Sequence, residues 1–369
     1  MKFLFTGDVH LGHYKVPSDL IRARLKKHFV SRIKEVDFVV IGGDWYDCEI
    51  SLVDNQVGDA LGAGDDLLKE AHLHNKPVLI LRGTISHDRN QLRLFEVSKT
   101  QLGLDTLDLR IYNKISVDDL NGLKLGFVPD DLPYSSSQEA IQVLRDRMDE
   151  KGYKELDYVF VHGCFHHIFP ENVTKRPKCT FRYDEFPFVK KKVICAHIHT
   201  PSEKELIIYA GSFDRLRQGE EEAKGFLMIE DHKDHCNTTF IENTDATCFK
   251  SVLIKEKDIE KAIRIFTKFV SKLDLTKKNF IRVLCTSAEL GVGLRKFSQK
   301  TYPELEYDYG LINSALNKLL DVKKEPMVLT LGDAPTPANL PQAVLSYLGE
   351  THLTLERVQA LLERARPNG

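Results

Sequence analysis

Long apolar runs are missing from this 369-residue chain. None approaches the roughly 20 consecutive residues that a bilayer-spanning helix requires, so no membrane segment is expected. Close cysteine pairs are missing too. The seven cysteines, an odd number, are Cys48, Cys164, Cys179, Cys195, Cys236, Cys248 and Cys285, and their spacing argues against a disulfide framework or a zinc knuckle. They fit reduced thiols of a cytosolic protein. Neither sign of charge dominates, with 52 Lys and Arg against 54 Asp and Glu. No global positive field therefore marks a nucleic-acid binder, although a local basic stripe is enough to neutralise phosphates. The opening residues run directly into a strand-like segment, which leaves no room for a secretory signal. Internal repeats and low-complexity tracts are absent. What remains is an ordinary globular composition, 42% hydrophobic and 29% charged, with length for about two to three domains.

Strand and helix alternate through the first half. After the opening strand, apolar residues recur at helical spacing over 20–33, with Ser18 and Asp19 available as caps. Then come a strand at 37–42, a helix within 54–74, a strand at 77–81 and a short helix at 91–101. Strands at 110–115 and 123–128 and a helix at 138–150 complete this half. From Asp157 the pattern turns mainly to strands, at 157–161, 192–196, 206–210, 225–230 and 238–242. That order predicts an α/β fold of two packed sheets flanked by helices, an αββα sandwich. Polar residues at 243–247 open a smaller α+β unit with a strand at 249–254, a helix at 258–273 and a strand at 280–286, and helical pattern resumes at 311–320. Pro326, Gly332, Pro335 and Pro337 read as a linker, followed by amphipathic helices at 341–349 and 354–366. The expected division is a main domain over 1–245, a cap over 246–325, a linker over 326–338 and a helical tail over 339–369.

Five short patches carry the chemistry: Gly7-Asp8-Val9-His10, Gly43-Asp44-Trp45-Tyr46-Asp47, Ser86-His87-Asp88, Val161-His162-Gly163 and His197-Ile198-His199. Apolar runs precede them, KFLF before Asp8, DFVVI before Asp44, PVLIL towards His87, DYVFV before His162 and KVICA before His197. Strands deliver their last residues to one end of a sheet, where ligands of open α/β folds gather. Strand ends bearing only Asp, His and a hydroxyl describe a hard oxygen-and-nitrogen site for manganese, magnesium, iron or zinc. One patch alone is a capped turn as readily as a ligand; the ordered set is a binuclear metal site.

Order, spacing and strand context resemble the calcineurin-like metallophosphoesterases. A further patch, Tyr209-Ala210-Gly211-Ser212-Phe213-Asp214-Arg215 with Gly219-Glu220 and Lys224-Gly225-Phe226, is similar to the SbcD-type DNA repair nuclease subunits. The resemblance implies two divalent ions, manganese first and magnesium second. It places Asp8, His10, Asp44 and His199 on the first ion, and Asp44, His162, His197 and a residue near Ser86 on the second. It implies that His87 faces the scissile phosphate and that Asp88 orients the imidazole. It further implies DNA as substrate, an SbcC-like SMC-type ATPase gripped by the C-terminal helices, and the cytoplasm of a bacterial or phage-infected cell, and it leaves a homodimer open. The chain departs from the family at three points. The usual Gly-Asn-His-Asp is Gly83-Thr84-Ile85-Ser86-His87-Asp88, so the amide ligand is gone and Ser86, or secondarily Thr84, must offer a hydroxyl. Asp47 stands where the subfamily has histidine, and Ala196 replaces a glycine.

Basic residues Lys175, Arg176 and Lys178 and the run 190–192 lie between the fourth and fifth patches, where they can meet phosphates or remain a solvated face. Arg215 can reach substrate or core. Trp45 and Tyr46 can pack beneath the site or offer a stacking surface. The His232–Cys236 stretch reads as a hairpin loop rather than a metal tract. Set against a DNA nuclease are a phosphodiesterase or phosphatase for small substrates and a catalytically weakened scaffold that binds DNA ends.

Overall fold

The computed structural model describes residues 1–51, 54–130, 134–168 and 179–311. Alternation of side chains builds its first sheet. On β1 (Lys2–Thr6), Phe3 and Phe5 point to one face and Leu4 to the other. Because both faces are covered, the parallel strands read as unbroken apolar runs. Helix α1 (Ser18–Arg24) continues through a wide turn, Leu25–Phe29, and a tight 3-10 stretch, Val30–Glu35, which together fill the expected helix. There follow β2 (Phe38–Ile41), α2 (Val57–Leu73), β3 (Val78–Leu81), α3 (Arg93–Gln101) and β4 (Leu109–Tyr112).

The second sheet begins with a hairpin of β5 (Ser116–Leu120) and β6 (Leu123–Val128). Helix α4 (Ser137–Glu150) is capped by Ser136, whose hydroxyl accepts the Glu139 N–H. Next are β7 (Leu156–His162), a small parallel pair of β8 (Cys164–Phe165) and β9 (Thr180–Phe181), and then β10 (Val189–Ala196), β11 (Ser202–Lys204) and β12 (Ile207–Tyr209). The chain then returns to the first sheet as the hairpin β13 (Gly225–Asp231) and β14 (Cys236–Glu242), joined by the His232–His235 turn. The HKDHC stretch is thus a hairpin connection, as expected.

The two six-stranded sheets run β14-β13-β1-β2-β3-β4 and β11-β12-β10-β7-β6-β5. Phe3, Phe5, Phe38, Phe127 and Phe160 pack between them, with Phe5 and Phe160 stacked at 5.8 Å. Helices α1 to α3 cover the outer face of the first sheet and α4 that of the second. This is the expected two-sheet sandwich flanked by helices.

Beyond it, β15 (Cys248–Ile254), α5 (Ile259–Val270), β16 (Asn279–Cys285), α6 (Ala288–Thr301) and β17 (Glu306–Leu311) form a three-stranded parallel sheet with its own core. Phe249 and Phe280 of this sheet stack at 4.9 Å and belong to the core beneath the first sheet. Residues Met1–Ile312 form one compact unit. Helix α6 and strands β5 and β17 were not expected. The linker and the helices at 311–320, 341–349 and 354–366 lie outside the described residues, apart from Leu311, which ends β17.

Candidate metal centre

Strands β1, β2 and β3 of one sheet and β7 and β10 of the other end side by side. Asp8 and His10 follow β1, Asp44 follows β2, His162 ends β7, and His197 and His199 follow β10. The first two loops are stitched together: Asp8 N–H donates to the Gly43 carbonyl at 3.0 Å, and Val9 and His10 N–H donate to that of Asp44 at 2.9 and 3.1 Å. Asp8, His10, Asp44 and His197 hold φ of 50°, 56°, 50° and 84°, the left-handed region that side chains avoid. Each such residue costs on the order of 1–3 kcal/mol and persists only where its surroundings impose it. Gly83 lets the loops close, since a Cβ there would stand 2.2 Å from Asp44 N and Oδ1.

The donors fall into two groups around one shared oxygen. Asp44 Oδ2 lies 3.3 Å from His162 Nε2 and 4.0 Å from His10 Nε2. On one side, Asp8, His10 and His199 bring ligand atoms within 4.8 Å of one another, with the Nε2 atoms of His10 and His199 3.2 Å apart. On the other, Asp44, His162 and His197 do the same, with His162 Nε2 3.3 Å from His197 Nδ1. Both carboxylate oxygens of Asp8 also accept the His197 N–H, at 3.0 and 2.9 Å. Nitrogen and carboxylate donors at this spacing fit divalent ions of the kind the sequence implied.

The third patch is where sequence and structure part. Residues Thr84 to Arg89 form a helical turn: His87 and Asp88 N–H donate to the Thr84 carbonyl and Arg89 N–H to that of Ile85. Helical spacing turns Thr84, His87 and Asp88 to one side and leaves Ser86 exposed. Thr84, not Ser86, therefore reaches the second group. Its Oγ1 is 3.2 Å from Asp44 Oδ2 and 3.4 Å from both His162 Nε2 and His197 Nδ1.

Asp88 is not the partner of His87. Its buried carboxylate accepts N–H bonds from Gly83 (2.8 Å), Asp44 (2.9 Å), Trp45 (2.9 Å) and Tyr46 (3.3 Å), clamping the loop that carries Asp44. Burial and the Asp44 charge push it up to about 6 against those donors. His87 is oriented instead by the Asp47 main-chain carbonyl, which meets its Nδ1. One His87 nitrogen lies within 4.8 Å of ligand atoms of His10 and Asp44.

Carboxylates stand behind two of the histidines. Asp47 Oδ1 is 3.1 Å from His10 Nδ1, an ion-pair distance without hydrogen-bond alignment, so Asp47 stands behind His10 as a charge. Glu220 Oε1 is 3.1 Å from His199 Nδ1. Burial works against the Glu220 charge, yet His199 and the buried Lys224, 3.2 Å away, draw its carboxyl down to about 2. Lys224 also donates to the His199 carbonyl (2.7 Å) and to Ser212 Oγ (3.0 Å). Glu220 and Lys224 were visible as motif letters without a role; their contacts with His199 supply one. Behind His162 stands a neutral group, the Gly42 carbonyl 2.8 Å from Nδ1. Burial would lower His162, but the Asp44 charge lifts it to about 10. A metal ion must displace that proton, so binding weakens as pH falls.

Other expectations resolve plainly. The Arg215 guanidinium donates to the carbonyls of Thr247 (3.3 Å) and Glu222 (2.8 Å), so it ties its segment to the chain entering β15 rather than facing substrate. The Lys191 side chain is enclosed between Asp231 (2.6 Å) and Asp157 (3.4 Å), while Lys190 and Lys192 pair with Glu155 and Glu203. All three sit in the opening half of β10, away from the strand end that leads to His197. Trp45 and Tyr46 are buried, Trp45 against Phe95, and offer no stacking surface. Lys175, Arg176 and Lys178 lie outside the described residues. Among the described residues no disulfide joins any of the seven cysteines, and no helix is long and apolar enough to cross a membrane.

A two-sheet sandwich with an Asp–His cluster across its strand ends defines a metal-dependent phosphoesterase. The family described as calcineurin-like phosphoesterase matches residues 1–201, and the chain belongs to it. No curated protein matches. Among solved structures, the crystal structure of TT1561 of Thermus thermophilus is 11% identical with a TM-score of 0.37, over 65% of this chain and 98% of that one. A second crystal structure has the same identity and coverage with a TM-score of 0.38.

Proposed function

We propose that the protein is a metal-dependent DNA nuclease, exonucleolytic and able to nick single strands, acting as the nuclease subunit of an SbcCD-like repair and recombination complex. The observation that carries this reading is the wiring of Glu220 and Lys224 to His199. Those two residues belong to the patch that separates the nuclease subunits from other phosphoesterases in the sequence, and here they support a candidate ligand. Asp8, His10, Asp44 and His199 would hold one ion, and Asp44, His162, His197 and Thr84 the other. Divalent ions there, manganese first, would supply an acidified water and a clamp for the attacked phosphate. His87 has Nδ1 committed to the Asp47 carbonyl, which leaves Nε2 to hydrogen-bond the phosphate or protonate the leaving oxygen. Asp88 keeps Asp44 in place.

Residues 246–325 would cap the site and follow DNA, Lys175, Arg176 and Lys178 would meet its phosphates, and the tail at 339–369 would grip the ATPase. The test sets labelled linear duplex and single-stranded DNA beside a generic bis-phosphate ester, with manganese. Cleavage of both DNA and ester is the expected result. Cleavage of the ester alone assigns a small-substrate phosphodiesterase, and DNA binding without any cleavage assigns a scaffold.

A further inference from the structure

Ligands bound to one first-row divalent ion, at bonds of about 2.0–2.2 Å, stand about 3.0–3.5 Å from their neighbours. Thr84 Oγ1 meets that condition towards Asp44 Oδ2 (3.2 Å), His162 Nε2 (3.4 Å) and His197 Nδ1 (3.4 Å). His162 Nε2 meets it towards Asp44 Oδ2 (3.3 Å) and His197 Nδ1 (3.3 Å). Ser86, the residue that sequence spacing favoured, points to solvent.

Charge is distributed unevenly around the shared Asp44. The half containing Asp8 has a carboxylate of its own, and its two histidines lean on Asp47 and Glu220. The half containing Thr84 has the shared carboxylate and a neutral hydroxyl, and His162 leans on the Gly42 carbonyl. Asp130 acts on His162 and His197 through space. A carboxylate behind an imidazole raises its basicity and, where it is hydrogen-bonded as Glu220 is to His199, fixes the tautomer that binds metal, and such partners are worth about 10–100-fold in affinity.

We infer that Thr84 is a ligand of the second ion in place of the family's amide, and that the two halves load in order, the Asp8 half tightly and the Thr84 half weakly. This rests on the metal-phosphoesterase reading of the centre and is independent of the substrate. The weak half fills at metal concentrations that leave the first half saturated, so the number of ions bound varies with metal supply.

The full-length protein, stripped of metal and free of DNA, is titrated with manganese by calorimetry and followed by electron paramagnetic resonance. Two steps separated by at least about tenfold in affinity are expected, and the second should turn an isolated-ion signal into that of a spin-coupled pair. Thr84→Val should keep the first step and weaken the second by at least about tenfold, Thr84→Ser should restore it, and Ser86→Ala should titrate as wild type. Thr84→Ala repeats the test with a smaller side chain, and circular dichroism of each variant checks the fold. Two equal sites, a Thr84→Val protein that still forms the coupled pair, or loss of the second step in Ser86→Ala would overturn the inference. Because no DNA is present, failure here is distinct from failure of the nuclease reading.

Discussion

His87 and Asp88 are neighbours with separable jobs. Truncating His87 removes a ring held through Nδ1 by a main-chain carbonyl and leaves the two donor groups standing. His87→Ala should lower kcat by about 10²–10⁴ while calorimetry still finds the wild-type number of manganese ions. Loss of metal with activity would make His87 a ligand. Asp88→Asn should do the reverse. Each Asp88 oxygen accepts two N–H groups, so an amide NH2 in place of either would face two donors. A destabilisation of about 2–4 kcal/mol in urea unfolding, with weakened metal binding, is expected. A third residue reads pH. His13 Nδ1 accepts the N–H groups of Lys15 and Val16 at 3.2 Å each, which requires a neutral ring, and burial lowers its pKa from 6.5 to about 4. The unfolded chain binds this proton first as pH falls. The contribution is therefore fully present above pH 6.5 and is lost between 6.5 and about 4, on the order of 3 kcal/mol in all. His13→Asn keeps an acceptor that cannot be protonated. Its metal-free stability should fall less steeply between pH 7 and pH 5 than that of wild type, and parallel slopes would refute the assignment.

Elements were legible where one physical signal dominated. Strands β1, β2, β3 and β7 and the second half of β10 are apolar and showed as continuous runs, and the strand ends then placed six of the donors, Asp8, His10, Asp44, His162, His197 and His199. Strand β5, with the consecutive aspartates Asp118 and Asp119 in its middle, lacked such a run, and Gly291 and Gly293 blurred the helical signal of α6. The third patch failed for another reason. Sequence spacing counts residues, but the direction of a side chain depends on whether the loop extends or coils, and the coil from Thr84 reversed the choice between two hydroxyls. Lys191 was misread because a run of lysines carries no sign of which one turns inward. Its ammonium bridges β7 and β13, strands of opposite sheets, through Asp157 and Asp231. Lys191→Met should cost about 2 kcal/mol in urea unfolding, since two carboxylates lose their shared cation. A neutral result would mean that water serves them equally well.

For the whole molecule, the proposed function assigns the partner-binding role to the sequence at 339–369. In the sequence of 354–366, Leu355, Val358, Leu361, Leu362 and Ala365 fall on one helical stripe, and a helix this short is marginal in water unless it packs on something. Deleting 338–369 should leave solubility and simple nuclease activity intact and abolish pull-down of the ATPase. Aggregation of the truncated chain would instead assign the stripe to this protein's own core.

The centre is built from both sheets. Asp8, His10, Asp44 and Thr84 follow strands of the first, while His162, His197 and His199 come from strands of the second, and each donor group contains members from both. The spacing of the donors within each group thus depends on how the sheets sit on each other, and the phenylalanines packed between the sheets help to set that. A change of volume at Phe5 or Phe160 can alter that spacing without replacing a single donor. Evolution can adjust the centre from the interior of the sandwich, leaving the reactive surface untouched.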